Sequence, residues 1–190
     1  MMNRFHQVVL IASVIVASWF GMQAVHELGH CLGAWVSGGQ VAKVVWHPLT
    51  ISRTDLAYNP HPLLVVWSGP VMGVLLPVAT WGLALVIRGP GAFVNRFFAG
   101  FCMMANGAYI AFGSFDGIGD CGTMLRHCSP IWSLWLFGAV TIPIGLWLWH
   151  REGEHFGLGA AKGRVDHRAA YCSLAASILL IVISSALGGE

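Results

Sequence analysis

Charge is scarce in this chain: Asp, Glu, Lys and Arg make up 9% of its 190 residues, where a soluble domain carries about 25%. That shortage excludes an ordinary water-facing surface. Clustered basic charge is lacking as well. The formal net charge is +2 and the basic residues are scattered, so there is no electrostatic footprint for DNA or RNA and no nucleic-acid partner is expected. Cys31, Cys102, Cys121, Cys128 and Cys172 form no CxxC pair, and an odd number cannot all pair internally. They are expected as small buried hydrophobes. Internal repeats and paired broken helices are also missing, which argues against a small-molecule or ion transporter.

What the chain has instead is apolar length. Hydrophobic residues make up 56% of it, enough for about five spans of about 20 residues and no separate soluble domain. The expected fold class is an all-α polytopic membrane protein with about five transmembrane helices and a short β-hairpin after the first. It forms one membrane-embedded domain over 1–190, and the lipid bilayer is its dominant partner. The spans are expected at 8–36, 63–87, 92–112, 130–149 and 169–187. A basic start before the first run fits a signal peptide, but the run continues well past any plausible cleavage point.

Gly38-Gly39 ends the first span, and Val41, Lys43, Val45, Thr50 and Ser52 alternate around His47-Pro48, which predicts a hairpin over 40–53. The following DLAYNPHP reads as a polar bend, with Pro60 and Pro62 announcing the next helix. Gly69-Pro70 and Gly73 in the second span suit close helix approach, and Asn106 in the third needs a partner inside the bundle. Pro143 predicts a kink in the fourth span, whose Trp132, Trp135, Trp147 and Trp149 suit the two interfaces. The polar connector HREGEHFGLGAAKGRVDHR precedes the fifth span. Arg4, Arg88, Arg96, Arg151, Lys162, Arg164 and Arg168 fall on one side of this arrangement, against Lys43, Arg53 and Arg126. A multi-pass protein with a cytoplasmic amino terminus and connector follows. The hairpin and the FDGIGD loop then share the opposite face.

Within the first span stands His26-Glu27-Leu28-Gly29-His30. An acid at the centre of a span costs about 2.5 to 3.5 kcal/mol, so its presence marks a functional site. Residues at i and i+4 share a helix face, which aims His26 and His30 at one ion. Glu27, one residue on, stands beside the metal without binding it, as the general base of a zinc hydrolase does. A catalytic Zn2+ needs three protein ligands and an open position, and Asp116 and Asp120 are the acids available on the same face. Asp120 opens a predicted helix, DCGTML, where a carboxylate suits the positive end. Either Asp also reads as an ordinary cap or turn residue. Gln23, His47, Asn106 and the FDGIGD loop are expected to line a water-accessible cavity. His47 and His127 lie on that face, while His61, His150, His155 and His167 read as interfacial or solvated.

With these residues in view, the chain resembles the site-2-protease family of intramembrane zinc metalloproteases. The resemblance rests on HELGH in the first span, Gly69-Pro70 early in the second, and an Asp-Gly stretch after an Asn-bearing third, and it covers roughly 14–125. It implies that His26, His30 and one downstream Asp hold zinc while Glu27 activates water. Asp116-Gly117 matches the family's Asp-Gly pair, whereas Asp120-Cys121-Gly122-Thr123-Met124-Leu125 matches the Asp-x-Gly-x-x-Leu helix start and favours Asp120. Asn106 has no Pro three residues on; the resemblance gives it a place near the scissile carbonyl or the substrate strand. The core, 8–128, would carry the zinc site, and 129–190 would add two helices and the connector. The expected activity is hydrolysis of peptide bonds in or near transmembrane segments of a membrane-protein substrate. The alternative is a non-proteolytic member of the same scaffold that binds a metal or a membrane partner.

Overall fold

The computed structural model describes residues 2–47, 52–89 and 91–187. Along the chain run α1 (Met2–Val36), β1 (Gln40–Val45), β2 (Arg53–Tyr58), α2 (Pro62–Val86), α3 (Ala92–Asp116), α4 (Gly119–Arg126), α5 (Ile131–Trp149) and α6 (His167–Leu187). Five of the helices are long and apolar enough to cross a membrane, and α4 is a short one between two of them. Their outward faces carry Leu75, Leu83 and Leu136 exposed, as expected of helices whose solvent is lipid and whose backbone groups must all bond internally.

Local chemistry sets the element ends. Pro62 takes the first turn of α2, where its missing N–H is no loss. The third helix runs four residues beyond its expected end at 112, because the chain first requires left-handed backbone only at Gly117, with φ +62°. The hairpin also differs from expectation. β1 pairs antiparallel with Arg53–Tyr58, Val44 opposite Thr54 and Val45 opposite Arg53, so the second strand takes in the first half of what reads as a polar bend. Its Thr54-x-Leu56 alternation suits a pleated surface, and Asn59-Pro60 follows its end. Pro48 and Thr50, assigned to the hairpin from sequence, lie outside the described residues.

In the bundle α1 packs between α6 and α2, α2 also against α3, and α3 against α5. The seams are made of small residues. A methyl group on Gly29 of α1 would lie 2.7 Å from the Met72 Cβ and 2.8 Å from the Gly69 Cα of α2. Gly138 and Gly145 of α5 would likewise place one 2.8 Å from the carbonyl oxygens of Gly107 and Gly100 on α3. Close backbone approach of this kind replaces the hydrophobic effect as the source of helix association in lipid. α4 lies under α2 and α3, where Cys121 and Met124 join Val66, Ile110 and Leu134 in one core cluster.

The polar connector is folded rather than simply solvated. Phe156 packs with Leu10, Val14 and Ala170, Gln7 Nε2 donates to the Phe156 carbonyl at 3.0 Å, and Arg96 pairs with buried Glu152. Two of the four tryptophans in α5 are tied inward: Trp149 Nε1 donates to the Phe97 carbonyl at 2.9 Å and Trp135 Nε1 to Ser114 Oγ at 3.0 Å. Trp132, Trp147 and, despite its hydrogen bond, Trp135 are exposed. α5 passes through Pro143 without a break in its helical run.

Candidate metal centre

His26, Glu27 and His30 are all buried on α1. His30 stands six residues before the helix end, about 9 Å along the axis. The helical spacing turns both imidazoles toward Asp120 on α4. His26 Nε2 lies 2.8 Å and His30 Nε2 3.2 Å from the same oxygen, Asp120 Oδ2, and the two nitrogens are 3.1 Å apart.

The other ring nitrogens decide what converges there. His30 Nδ1 lies 2.9 Å from the Val65 carbonyl, a group that only accepts, so Nδ1 donates. His26 Nδ1 meets Asn106 Oδ1 at 2.7 Å, and the Asn106 amide is oriented by its Nδ2 donating to the Cys102 carbonyl at 2.9 Å. In their neutral form both rings therefore present Nε2 lone pairs to a carboxylate oxygen. Three acceptors at such spacing repel unless a proton or a cation stands among them. Histidines that ligate a metal show this same arrangement, with the remote N–H held by a carbonyl. The group His26, His30 and Asp120 has the composition and spacing to hold a metal ion. Where a proton rather than an ion stands among them, burial opposes the charge on Asp120, but hydrogen bonds from the protonated imidazoles and attraction to them outweigh it and hold the carboxyl well below the usual range.

Two glycines of α2 make room for the site. A Cβ on Gly69 would strike the His30 imidazole, and one on Gly73 would lie 2.7 Å from the Asn106 amide. Glu27 stays off the histidine–aspartate cluster. Its Oε2 accepts a hydrogen bond of 2.8 Å from Thr54 Oγ1 on β2. His26, Glu27, His30, Thr54, Asn106 and Asp120 border a cavity of about 1080 Å3 whose walls come from α1, α2, α3, α4 and β2, with Trp19 and Met22 on its apolar side.

Of the acids available for the third place, Asp120 lies with the histidines. Asp116 is exposed at the last position of α3 and is not in the group. Gln23 lines the cavity as expected, and its Oε1 is buried with no hydrogen-bond partner among the described residues. His47 and His127 are not among the lining residues. Of the cysteines, Cys31, Cys102 and Cys121 are buried as expected, but Cys128 and Cys172 are exposed. Cys128 stands in a left-handed turn beyond α4 (φ +67°), and Cys172 on the outer side of α6. The Cys121 thiol is pushed up to about 11 by burial and by the charge of Asp120.

Sequence reasoning misses two groups here. Tyr109 accepts a 3.1 Å hydrogen bond from the Asp120 backbone N–H and packs edge-on against His26 with ring centroids 5.8 Å apart. Its spacing of three from Asn106 on one helix face was a usable signal. Thr54 offered none, because its position depends on the hairpin register. Comparison with family models, with curated proteins and with solved structures finds no match to the chain.

Proposed function

We propose that the protein is an intramembrane zinc metalloendopeptidase of the site-2-protease type, hydrolysing peptide bonds in or near transmembrane segments of other membrane proteins. The observation that carries this reading is the convergence of three acceptors from His26, His30 and Asp120 beside a buried carboxylate, Glu27, that stays apart from them. A tetrahedral zinc with bonds of about 2.0–2.1 Å spaces its ligand atoms about 3.3 Å apart, close to the 2.8, 3.1 and 3.2 Å found here. Two imidazoles and one carboxylate suit zinc better than magnesium or calcium, which prefer oxygen alone.

When bound, zinc supplies Lewis acidity toward the peptide carbonyl and lowers the pKa of water toward neutrality. The chain's own groups do the rest. Glu27 takes the proton of the attacking water and passes it to the leaving amine. Asn106 and the Val65 carbonyl hold the imidazoles in the tautomer that faces the metal. Asn106 keeps one Nδ2 hydrogen for a substrate carbonyl, since the other is spent on Cys102. A helical substrate must unwind before it is cut. β2 is paired on one side only, within a two-stranded sheet, and its residues 53–56 border the cavity, so an unwound segment would add to it as a strand.

The same reading places the amino terminus in the cytoplasm. In its support, Gly163 of the connector packs against Arg4, and Gln7 bonds to Phe156. The start of α1 and the basic connector therefore share one end of the bundle. The test is cleavage of a membrane peptide by purified protein in lipid: Glu27→Gln should lower the rate by about 100-fold or more while leaving bound zinc unchanged. A variant as active as the parent would sink the mechanism. Stoichiometric zinc without cleavage by the parent chain would favour the non-proteolytic, metal-binding alternative.

A further inference from the structure

Glu27 has one side-chain hydrogen bond among the described residues, and it comes from outside the helix. Thr54 Oγ1 donates to Glu27 Oε2 at 2.8 Å. The same hydroxyl lies 4.0 Å from Cys31 Sγ, one helical turn on from Glu27. Among the described residues no cation pairs with this carboxylate, and Arg53, next to Thr54, directs its Nε to Asp55, at 3.2 and 3.3 Å. Thr54 is itself held in place, paired opposite Val44 in the hairpin ladder. A glutamate has three rotatable bonds, and this one stands next to His26 in the chain. Released from Thr54, it would be free to swing toward His26, His30 and Asp120, and with a metal bound there it would compete for the position that a catalytic site keeps open.

We infer that Thr54 is a positioning residue: its hydroxyl aims the Glu27 carboxylate and ties the β1–β2 hairpin mechanically to the metal-site helix. The inference deepens the peptidase reading and rests on it for its catalytic consequence. A segment that adds to the edge of β2 would bear on the strand that carries this hydroxyl, so substrate docking and alignment of the base become one event. The contact is a charge-assisted hydrogen bond with a single donor, and valine, which matches threonine in shape, removes that donor alone.

Thr54→Val and Thr54→Ser in the full-length protein, reconstituted in lipid with a membrane-segment peptide, test the proposal. The valine variant should lose about 10- to 100-fold in kcat, with KM within about twofold and zinc content at the parent value. The serine variant should return to within about threefold of the parent, because it restores the donor. Parental kcat in Thr54→Val, or a loss that serine does not restore, overturns the role in aiming the base. A second measurement does not depend on cleavage. Hydrogen exchange of the amides of residues 53–58 should quicken in Thr54→Val and in Glu27→Ala, and in the double variant by no more than in either single one. Additive effects would overturn the tether. A parent chain that cuts nothing yet shows the non-additive pattern supports the tether and overturns the peptidase reading alone.

Discussion

At the scale of single residues, the site depends on which atoms are left without protons. His26 and His30 each give their Nδ1 hydrogen to a fixed acceptor, so in the neutral form each ring turns an Nε2 lone pair toward Asp120. The pairing of the two histidines was legible from their spacing of four, since a helix admits one outcome for it. The choice of acid was legible only in the Asp-x-Gly-x-x-Leu resemblance that favoured Asp120, since spacing by itself left Asp116 open. Asp116 and Asp120 are separated by a turn in which Gly117 and Gly119 both take positive φ, +62° and +60°, and that reversal leaves one acid outside while carrying the other back under α1. Replacing Asp120 by Asn is expected to weaken zinc binding by about tenfold or more, measured by competition with a chelating dye. Asp116→Asn should bind zinc as the parent does, and equal losses in both variants would remove Asp120 from the ligand set.

Between elements, the determining feature is how closely α1 and α2 approach. Gly29 and Gly33 of α1 face Ser68 and Gly69 of α2, and the approach presses the His30 ring against bare backbone at Gly69. Gly69→Ala would push a methyl group into that imidazole. The expected result is a fall in zinc affinity of about 10- to 100-fold, the usual effect of disturbing what orients a ligand, with helical circular dichroism retained. Gly82, on the same helix with open space around it, is the control: Gly82→Ala should leave affinity unchanged. The sequence announces that small residues line these helices, because a membrane span has few other reasons for so many. It does not say which histidine each glycine serves. The second strand of the hairpin escaped for a related reason: Asp55, Asn59 and the prolines read as a bend, and only pairing with β1 makes residues 53–58 extended.

Across the whole molecule, α5 and α6 flank the core on opposite sides, α5 against α3 and α6 against α1. The connector between them must therefore cross one end of the bundle, and it is held there by Phe156 and by the Arg96–Glu152 pair. Glu152 is 4% exposed, so removing its partner leaves a buried charge uncompensated. Arg96→Ala is expected to cost about 3 kcal/mol of stability, read as a lower thermal unfolding temperature in detergent, with zinc content unchanged because Arg96 is not among the residues that border the metal cavity. The orientation belongs to this scale too. A protease-accessible tag placed before residue 1 should be protected in sealed right-side-out cells and cleaved in inverted vesicles; cleavage in intact cells would reverse the assignment.

The sequence by itself determined the five apolar spans, the β-hairpin after the first, and the face of α1 that carries His26 and His30 with Glu27 beside them. These follow from composition and from helix periodicity, both of which are local. The tertiary structure set Asp120, favoured by the resemblance, rather than Asp116 beside the histidines, and it alone decided that Asn106 and the Val65 carbonyl set their tautomers and that Thr54 holds Glu27. Each of those contacts joins residues more than twenty positions apart, on different elements brought together by packing. No local pattern in the chain encodes that distance.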